Sequence, residues 1–99
     1  MLALTAVIRV RSGCQQAMHD ALLAVARNAR DNEPGTLDYF VTQDAQDACV
    51  FTTYERYADR EAMDRHNNSE TVARFFDLAK PMLDGAVTVV IANEVFASR

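Results

Sequence analysis

Apolar and polar residues alternate over the first stretch of the chain. One side of this stretch carries the apolar residues Leu2, Leu4, Ala6, Ile8 and Val10. A period of two is typical of a β-strand, because successive side chains point to opposite faces of a sheet. The intervening positions are also partly apolar, which is unusual for a strand with one solvated face. Both faces of this strand are therefore expected to be covered.

Helical periodicity follows the first strand. Ser12-Gly13-Cys14-Gln15 has the S-x-x-Q spacing of a capping box, in which the Ser and Gln side chains satisfy free backbone N–H groups. The predicted helix continues to about Arg30. Its apolar stripe consists of Met18, Leu22, Val25 and Ala29. Glu33-Pro34-Gly35 is expected to end the helix in a turn, because Pro fixes φ and Gly tolerates positive φ.

The next segment predicts a β-hairpin. Its strands are expected at Thr36–Gln43 and Cys49–Tyr57, and Asp44-Ala45-Gln46-Asp47 is the loop between them.

The last third of the chain predicts two short helices and a final strand. Asp59 is the expected N-cap of a helix that continues to about His66. Ser69 is expected to cap a further helix, which ends at Pro81 because the residue before a proline is disfavoured in helical conformation. Its apolar stripe consists of Val72, Phe75, Phe76 and Ala79. The final strand, expected at Ala86–Phe96, is apolar on both sides for most of its length.

The predicted order β-α-β-β-α(α)-β belongs to the α+β class. It is the split pattern of a ferredoxin-like fold, in which helices cover one face of a four-stranded antiparallel sheet. The first and last strands are apolar on both sides, so something is expected to cover the other face. For a single domain over residues 1–99, we expect this cover to be a second copy of the chain, which makes the protein a homodimer packed sheet against sheet.

Composition excludes several classes of function. The net charge of −4 provides no basic surface for nucleic acid or an anionic membrane. No apolar run is long enough to span a bilayer, and the N-terminus lacks signal-peptide features. Cys14 and Cys49 have no metal-binding spacing and are expected to be reduced thiols of a cytoplasmic protein. No metal, flavin or nucleotide motif is present, so neither a metal nor a cofactor is expected.

Three segments resemble the antibiotic biosynthesis monooxygenase domain: E-P-G-T-L-D-Y at Glu33–Tyr39, V-F-T-T-Y-E-R-Y at Val50–Tyr57, and a helix with His66 followed by an F-F-containing helix. The likeness covers nearly the whole chain. It implies a small dimeric α+β barrel. The family includes cofactor-independent quinol and polyketide-quinone monooxygenases, haem-degrading enzymes, and an isomerase acting on a phosphorylated bacterial signalling molecule.

The haem-degrading branch of the family has a different set of residues. It places a Trp where His66 stands, an iron-ligating His where Phe76 stands, and an Asn where Ala6 stands. All three residues are absent from these positions, so haem degradation is not expected.

His66 is the candidate catalytic residue, since the resemblance places the family's helix histidine there. Its spacing from Ala62 and Met63 turns the ring toward the sheet. As a general base it would deprotonate an acidic phenol or quinol, and the electron-rich phenolate could then reduce dioxygen without metal or flavin. The alternative is a helix-end histidine that is hydrogen-bonded to backbone carbonyls.

Five further residues are candidates for binding the substrate, because small-ligand sites are largely apolar with few polar groups. They are Tyr39, Phe51, Tyr54, Glu55 and Phe76. Each also has a structural alternative: the aromatic side chains could pack in the core. Glu55 could accept a hydrogen bond from His66 or a substrate hydroxyl, or pair with Arg56, Arg9 or a backbone amide.

Three functions are therefore open. The first is a cofactor-free monooxygenase that oxidises a small hydroxylated aromatic or quinol with dioxygen. The second is an isomerase of a small phosphorylated signalling metabolite, which would need cations such as Arg9 or Arg56 for the phosphate. The third is a non-catalytic dimer that binds a small ligand or is purely structural, and an interior without a cavity beside His66 would favour it.

Overall fold

Four strands and three α-helices make up residues 1–98, which are the residues that the computed structural model of the chain describes. In chain order they are β1 (Leu2–Arg9), α1 (Gln15–Asn32), β2 (Thr36–Gln43), β3 (Val50–Tyr57), α2 (Arg60–Asn67), α3 (Glu70–Ala79) and β4 (Thr88–Asn93), with one turn of 3-10 helix at Lys80–Met82. This order confirms the predicted α+β, ferredoxin-like fold. Within this range no helix is both long and apolar enough to cross a membrane.

The strands form one antiparallel sheet in the order β2-β3-β1-β4. In the centre, Ala6 of β1 pairs with Thr53 of β3 on one side and with Val89 of β4 on the other. The register of β2 against β3 shifts between Thr36 and Asp38. Because residues opposite each other in a pair share a face, this register decides which side chains meet the helices.

The hydrophobic core lies between the helices and one face of the sheet. All four residues of the predicted α1 stripe are buried there, as are the alternate β1 residues Leu4, Ala6 and Ile8. The α3 stripe is confirmed in part, since Val72 and Ala79 are buried whereas Phe76 is 54% exposed. The pattern of one buried face per element therefore holds, with an opening beside α3.

Two of the three predicted helix caps are confirmed. Asp59 Oδ1 accepts a hydrogen bond from the backbone N–H of Ala62 at 2.8 Å, and Ser69 Oγ accepts one from Val72 at 3.2 Å. The predicted capping box is wrong: the N-cap of α1 is Cys14, without a side-chain cap. Gln15 instead accepts from the N–H of Gly13.

Strand β4 is shorter than the predicted Ala86–Phe96. Its last residue, Asn93, pairs with Leu2, the first residue of β1, and the N–H of Glu94 donates to the carbonyl of Met1. All six residues of β4 are exposed, as is Phe96 after it.

Candidate active site

A cavity of about 240 Å³ lies between the helices and the sheet. Its wall is mostly apolar, with side chains of β1, α1, α3 and β4 such as Leu4, Leu22, Phe75 and Ile91. Its polar lining residues are Tyr39, Thr53, Glu55, His66 and Asn67. A largely apolar space with a few polar groups is typical of small-molecule sites.

His66 lies at this polar end, and its ring faces the sheet as predicted. The residue is buried, with 4% of its surface exposed. Its ring contacts the rings of Tyr39 and Tyr57 at centroid distances of 5.5 and 5.7 Å. Nδ1 lies 2.6 Å from Oε1 of Glu33, and Nε2 lies 3.8 Å from Oε1 of Glu55.

Glu33 is held by a small network at the C-terminus of α1. Its Oε1 also accepts a hydrogen bond from the Thr36 hydroxyl at 2.8 Å, and its Oε2 accepts one from Nδ2 of Asn28 at 3.0 Å. An ionised carboxylate can only accept hydrogen bonds, so the contact with His66 assigns the proton to Nδ1. In the neutral ring the lone pair is then on Nε2, the nitrogen nearer Glu55 at the cavity wall.

Glu55 is a buried carboxylate whose two oxygens are both bonded. Oε2 accepts a hydrogen bond from the Thr53 hydroxyl at 2.8 Å, and Oε1 accepts one from the hydroxyl of Tyr57. A buried charge without such donors would be strongly destabilising. The alternative pairing with arginine is wrong, because Arg56 bonds Asp38 and Glu94 instead.

The two tyrosines beside Glu55 stay protonated. Burial raises the pKa of Tyr39 well above the ordinary phenol range, and the nearby Glu55 carboxylate raises it further. The same two causes, in the same order, raise the pKa of Tyr57. The polar end of the cavity therefore combines neutral phenols with an imidazole and a carboxylate.

Gly35 brings Glu33 and His66 together. A Cβ at this position would lie 2.6 Å from Cβ of Ala62 on α2, closer than two carbons can approach. Gly35 does not use the positive φ that glycine tolerates, since among the described glycines only Gly13 and Gly85 have it. The glycine is needed because the turn after Glu33 packs directly on the helix that carries His66.

Two of the predicted substrate-binding residues do not line the cavity. Phe51 is completely buried in the core, whereas Tyr54 lies on the opposite face of the sheet. There it donates a hydrogen bond to Glu94 and stacks on Phe40 at a centroid distance of 6.4 Å. Neighbouring residues of a strand point to opposite faces, so Tyr54 and Glu55 cannot share one site.

Phe76 is at the rim of the cavity. Its ring lines the cavity, contacts Phe75 edge-on at 5.6 Å, and is half-exposed. Val89 and Ile91 of β4 also line the cavity and are about half-exposed. The gap between α3 and β4 is therefore the side from which a ligand can enter.

Glu33, Thr53 and Tyr57 were not predicted from the sequence as site residues. A signal for Glu33 was present, because it follows the last turn of α1, where the helix dipole favours cations over carboxylates. An acidic residue at this position indicates a partner elsewhere. Thr53 and Tyr57 are two residues from Glu55 on either side, which puts all three on one face of β3.

The described part of the cavity wall has neither an Arg or Lys side chain nor a cluster of three metal-ligating side chains. No Arg or Lys is among the described residues that line it. Arg9 is exposed and pairs with Asp47 at 3.2 Å. Over residues 1–98 no group of three or more His, Cys, Asp or Glu side chains could hold a metal ion, and Cys14 and Cys49 are free, partly buried thiols.

The chain forms a ferredoxin-like α+β domain with a largely apolar cavity between sheet and helices. The chain belongs to the antibiotic biosynthesis monooxygenase family, whose model matches residues 1–78. No curated protein matches the chain.

Solved structures from three organisms share the fold along nearly the whole chain. A protein of Nitrosomonas europaea named for the same family is 21% identical with a TM-score of 0.89, covering 97% of this chain and 100% of its own. A protein of Mycobacterium tuberculosis is 22% identical with a TM-score of 0.90, covering 99% and 98%. A protein of Pseudomonas aeruginosa is 29% identical with a TM-score of 0.87, covering 96% and 94%.

Proposed function

We propose that this protein is a cofactor-independent monooxygenase that oxidises a small hydroxylated aromatic compound, such as a quinol, with dioxygen. The observation that carries the proposal is the 2.6 Å contact between Glu33 and Nδ1 of His66. It leaves the basic Nε2 of a buried imidazole at the wall of an apolar cavity. Membership of the monooxygenase family supports the reaction class.

The proposed reaction begins with proton transfer. A ligand hydroxyl donates to Nε2 of His66, the O–H bond breaks, and its electron pair stays on the phenolate oxygen. The phenolate is electron-rich enough to reduce dioxygen. One oxygen atom enters the substrate and the other leaves as water, so the substrate supplies all the electrons.

The cavity suits such a substrate in size and polarity. A space of about 240 Å³ holds a small aromatic ring, and its apolar wall excludes water from the phenolate. Glu55 Oε1 lies 3.8 Å from Nε2, so it can accept a hydrogen bond from a second hydroxyl of the ligand while the first donates to Nε2. The site therefore favours a neutral ligand that donates hydrogen bonds.

The two other hypotheses have less support. A phosphorylated substrate would need cations, yet the described cavity wall has none. The two candidate arginines form ion pairs elsewhere: Arg9 with Asp47, and Arg56 with Asp38 and Glu94. An interior without a cavity beside His66 would favour a non-catalytic dimer. The structure does have a cavity beside His66, so this hypothesis lacks that support.

Dioxygen uptake with a panel of quinols and catechols tests the proposal. His66→Ala should reduce the rate by about 10²- to 10⁴-fold, the usual contribution of a general base. Tyr54→Phe is the matched control, because Tyr54 lies on the opposite face of the sheet, and it should keep the wild-type rate. Equal rates for His66→Ala and wild type would remove His66 from the mechanism. Absence of uptake with every compound would contradict the monooxygenase.

We also propose that the protein is a homodimer packed through the face of the sheet that the helices leave bare. This face exposes Val7, Phe40, Tyr54 and Val90, each at least 37% accessible. An apolar patch of this kind marks an interaction surface. Light scattering at micromolar concentration should give twice the mass of the chain, and Val90→Asp should give a monomer. A monomeric wild type would contradict the proposal.

A further inference from the structure

His66 separates two spaces of different character. On one side is the apolar cavity of about 240 Å³. On the other side is a cleft of about 250 Å³, and most of its lining residues have polar side chains, among them Asn28, Asn32, Glu33, Thr36, Arg65 and Ser69. Among the described residues, His66 is the only one that lines both spaces. Glu33 lies on the cleft side and contacts Nδ1 of the ring.

This arrangement bears on the fate of the proton. A proton taken from a ligand in the cavity enters the ring on the side where most of the wall is apolar. If His66 kept it, the ring could not accept a further proton at Nε2. Imidazole can gain a proton at Nε2 and release another at Nδ1, and at 2.6 Å the acceptor at Nδ1 is Oε1 of Glu33.

We propose that Glu33 is the proton outlet of the site: it holds His66 in the Nδ1–H tautomer and passes the proton released at Nδ1 into the polar cleft. In this series of steps the ligand O–H bond breaks and an N–H bond forms at Nε2 of His66. The proton on Nδ1 then moves to Oε1 of Glu33. Water in the cleft then takes the proton from the carboxyl group, and an equivalent proton is taken up from solvent when the second oxygen atom of dioxygen leaves as water. The inference rests on the proposed function, since it requires His66 to act as the base.

Exposure increases along this route. The side chain of His66 is 3% exposed, whereas that of Glu33 is 17% exposed. The other carboxylate near the ring is less suited as the outlet, because the side chain of Glu55 is only 6% exposed and Glu55 lines the apolar cavity, whereas Glu33 lines the cleft. From the sheet the ring also faces Tyr39 and Tyr57, which are protonated, and Arg65 lines the cleft beyond it.

Three substitutions at Glu33 separate holding the ring from carrying the proton. Glu33→Gln keeps an oxygen that can accept from Nδ1–H but cannot take up the proton. Glu33→Asp keeps a carboxylate, and Glu33→Ala removes the group and leaves space that adjoins the cleft. Thr36→Val is the matched control, because it removes a hydrogen bond to the same Oε1 and leaves the proton route in place.

The probe is 3-nitrophenol, which is mainly neutral near neutral pH and absorbs differently as the phenolate. Stopped-flow absorbance follows its ionisation on the protein, and an indicator dye in weak buffer follows release of the proton. In wild type the two signals should rise together. Glu33→Gln and Glu33→Ala should slow both by about 10- to 100-fold, the usual effect of losing the partner of a functional histidine. Glu33→Asp and Thr36→Val should stay within a few-fold of wild type, and formate should restore Glu33→Ala.

The outcomes distinguish this inference from the proposed function. Glu33→Gln at the wild-type rate would overturn the outlet and leave Glu33 as a positioning residue only. Ionisation of the probe in His66→Ala as fast as in wild type would also overturn it. Glu33-dependent ionisation without dioxygen uptake from any quinol would support the outlet and contradict the monooxygenase. Ring-nitrogen NMR shifts of the unliganded protein provide a second test. In wild type His66 should carry its proton on Nδ1, whereas in Glu33→Ala the ring should be a mixture of the two tautomers. The wild-type tautomer persisting in Glu33→Ala would overturn the holding role.

Discussion

Replacing Gly35 by Ala is expected to disrupt the fold and the site together, because this residue is where the Glu33 turn touches α2. The added Cβ would lie 2.6 Å from Cβ of Ala62 and 3.2 Å from Nη2 of Arg65. The arginine end can move at little cost, whereas the Ala62 methyl group is fixed on the helix. Carbon atoms pack at about 3.5–4.0 Å, so the turn and the helix must separate by about 1 Å.

The expected loss of stability follows from this separation. Inserting a methyl group into a close-packed contact costs about 1–3 kcal/mol. For a domain of this size each kcal/mol lowers the melting temperature by about 4–8 °C. The turn also carries Glu33, so its contact with Nδ1 of His66, now 2.6 Å, should lengthen and the rate of ligand deprotonation should fall.

A double-mutant cycle with Ala62→Gly identifies the contact. Ala62→Gly removes the opposing methyl group and alone costs about 1 kcal/mol, because glycine is a poor helix former. In Gly35→Ala/Ala62→Gly the steric clash is gone, so the double mutant should be more stable than the sum of the singles predicts, by about 1–3 kcal/mol. Urea denaturation gives the three free energies of unfolding, and the activity of the double mutant should recover in parallel.

Additive single effects, within about 0.5 kcal/mol, would refute this explanation of Gly35. Gly13→Ala is the control, because Gly13 has φ of 97° and a Cβ added there would meet no other atom within 4 Å. Any destabilisation there comes from backbone conformation, and Ala62→Gly should not relieve it.

Three further substitutions test the core and the cavity. Phe51→Ala removes a fully buried ring and should lower the free energy of unfolding by about 3–5 kcal/mol in urea denaturation; a loss below about 1 kcal/mol would contradict its core role. Tyr57 has a raised pKa, so its contribution to stability is present below the ordinary phenol pKa of about 10 and is lost as the pH rises. Tyr57→Phe should therefore reduce the loss of stability at alkaline pH, measured by thermal melts at several pH values. The contribution of Tyr39 should remain. An unchanged dependence of the melting temperature on alkaline pH would contradict this. Phe76→Ala, at the half-exposed cavity rim, should raise KM several-fold with little change in melting temperature, and an unchanged KM would remove Phe76 from ligand binding.

Local patterns in the sequence determined the elements and most of the core. The period of two in β1 and the period near 3.6 in α1 depend only on the geometry of strand and helix. The caps Asp59 and Ser69 were also predictable, because a cap satisfies N–H groups only three residues away. The cap at Ser12 was not, since Gln15 bonds Gly13 in a turn that competes with the capping box.

Strand alternation would have corrected one site prediction. Tyr54 and Glu55 are adjacent in β3, so only one of them can face the helices. The apolar pattern of the strand identifies Glu55 as the inward residue, because Phe51 and Tyr57 are an even number of positions from Glu55 and therefore share its face. Tyr54 then lies on the face of the sheet away from the helices, as does the ion pair between Arg56 and Glu94.

Sequence by itself determined that His66 is turned inward from a short helix, because its spacing from Ala62 and Met63 fixes the side of α2 on which it lies. Only the tertiary structure decided what the ring meets there. Glu33 is 33 residues away in the chain, and no local rule links the end of α1 to the end of α2. The contact between Glu33 and His66 depends on the close approach of Gly35 to Ala62, which arises from packing between elements. As a result Nδ1 of the neutral ring has an acceptor, and the lone pair is on Nε2.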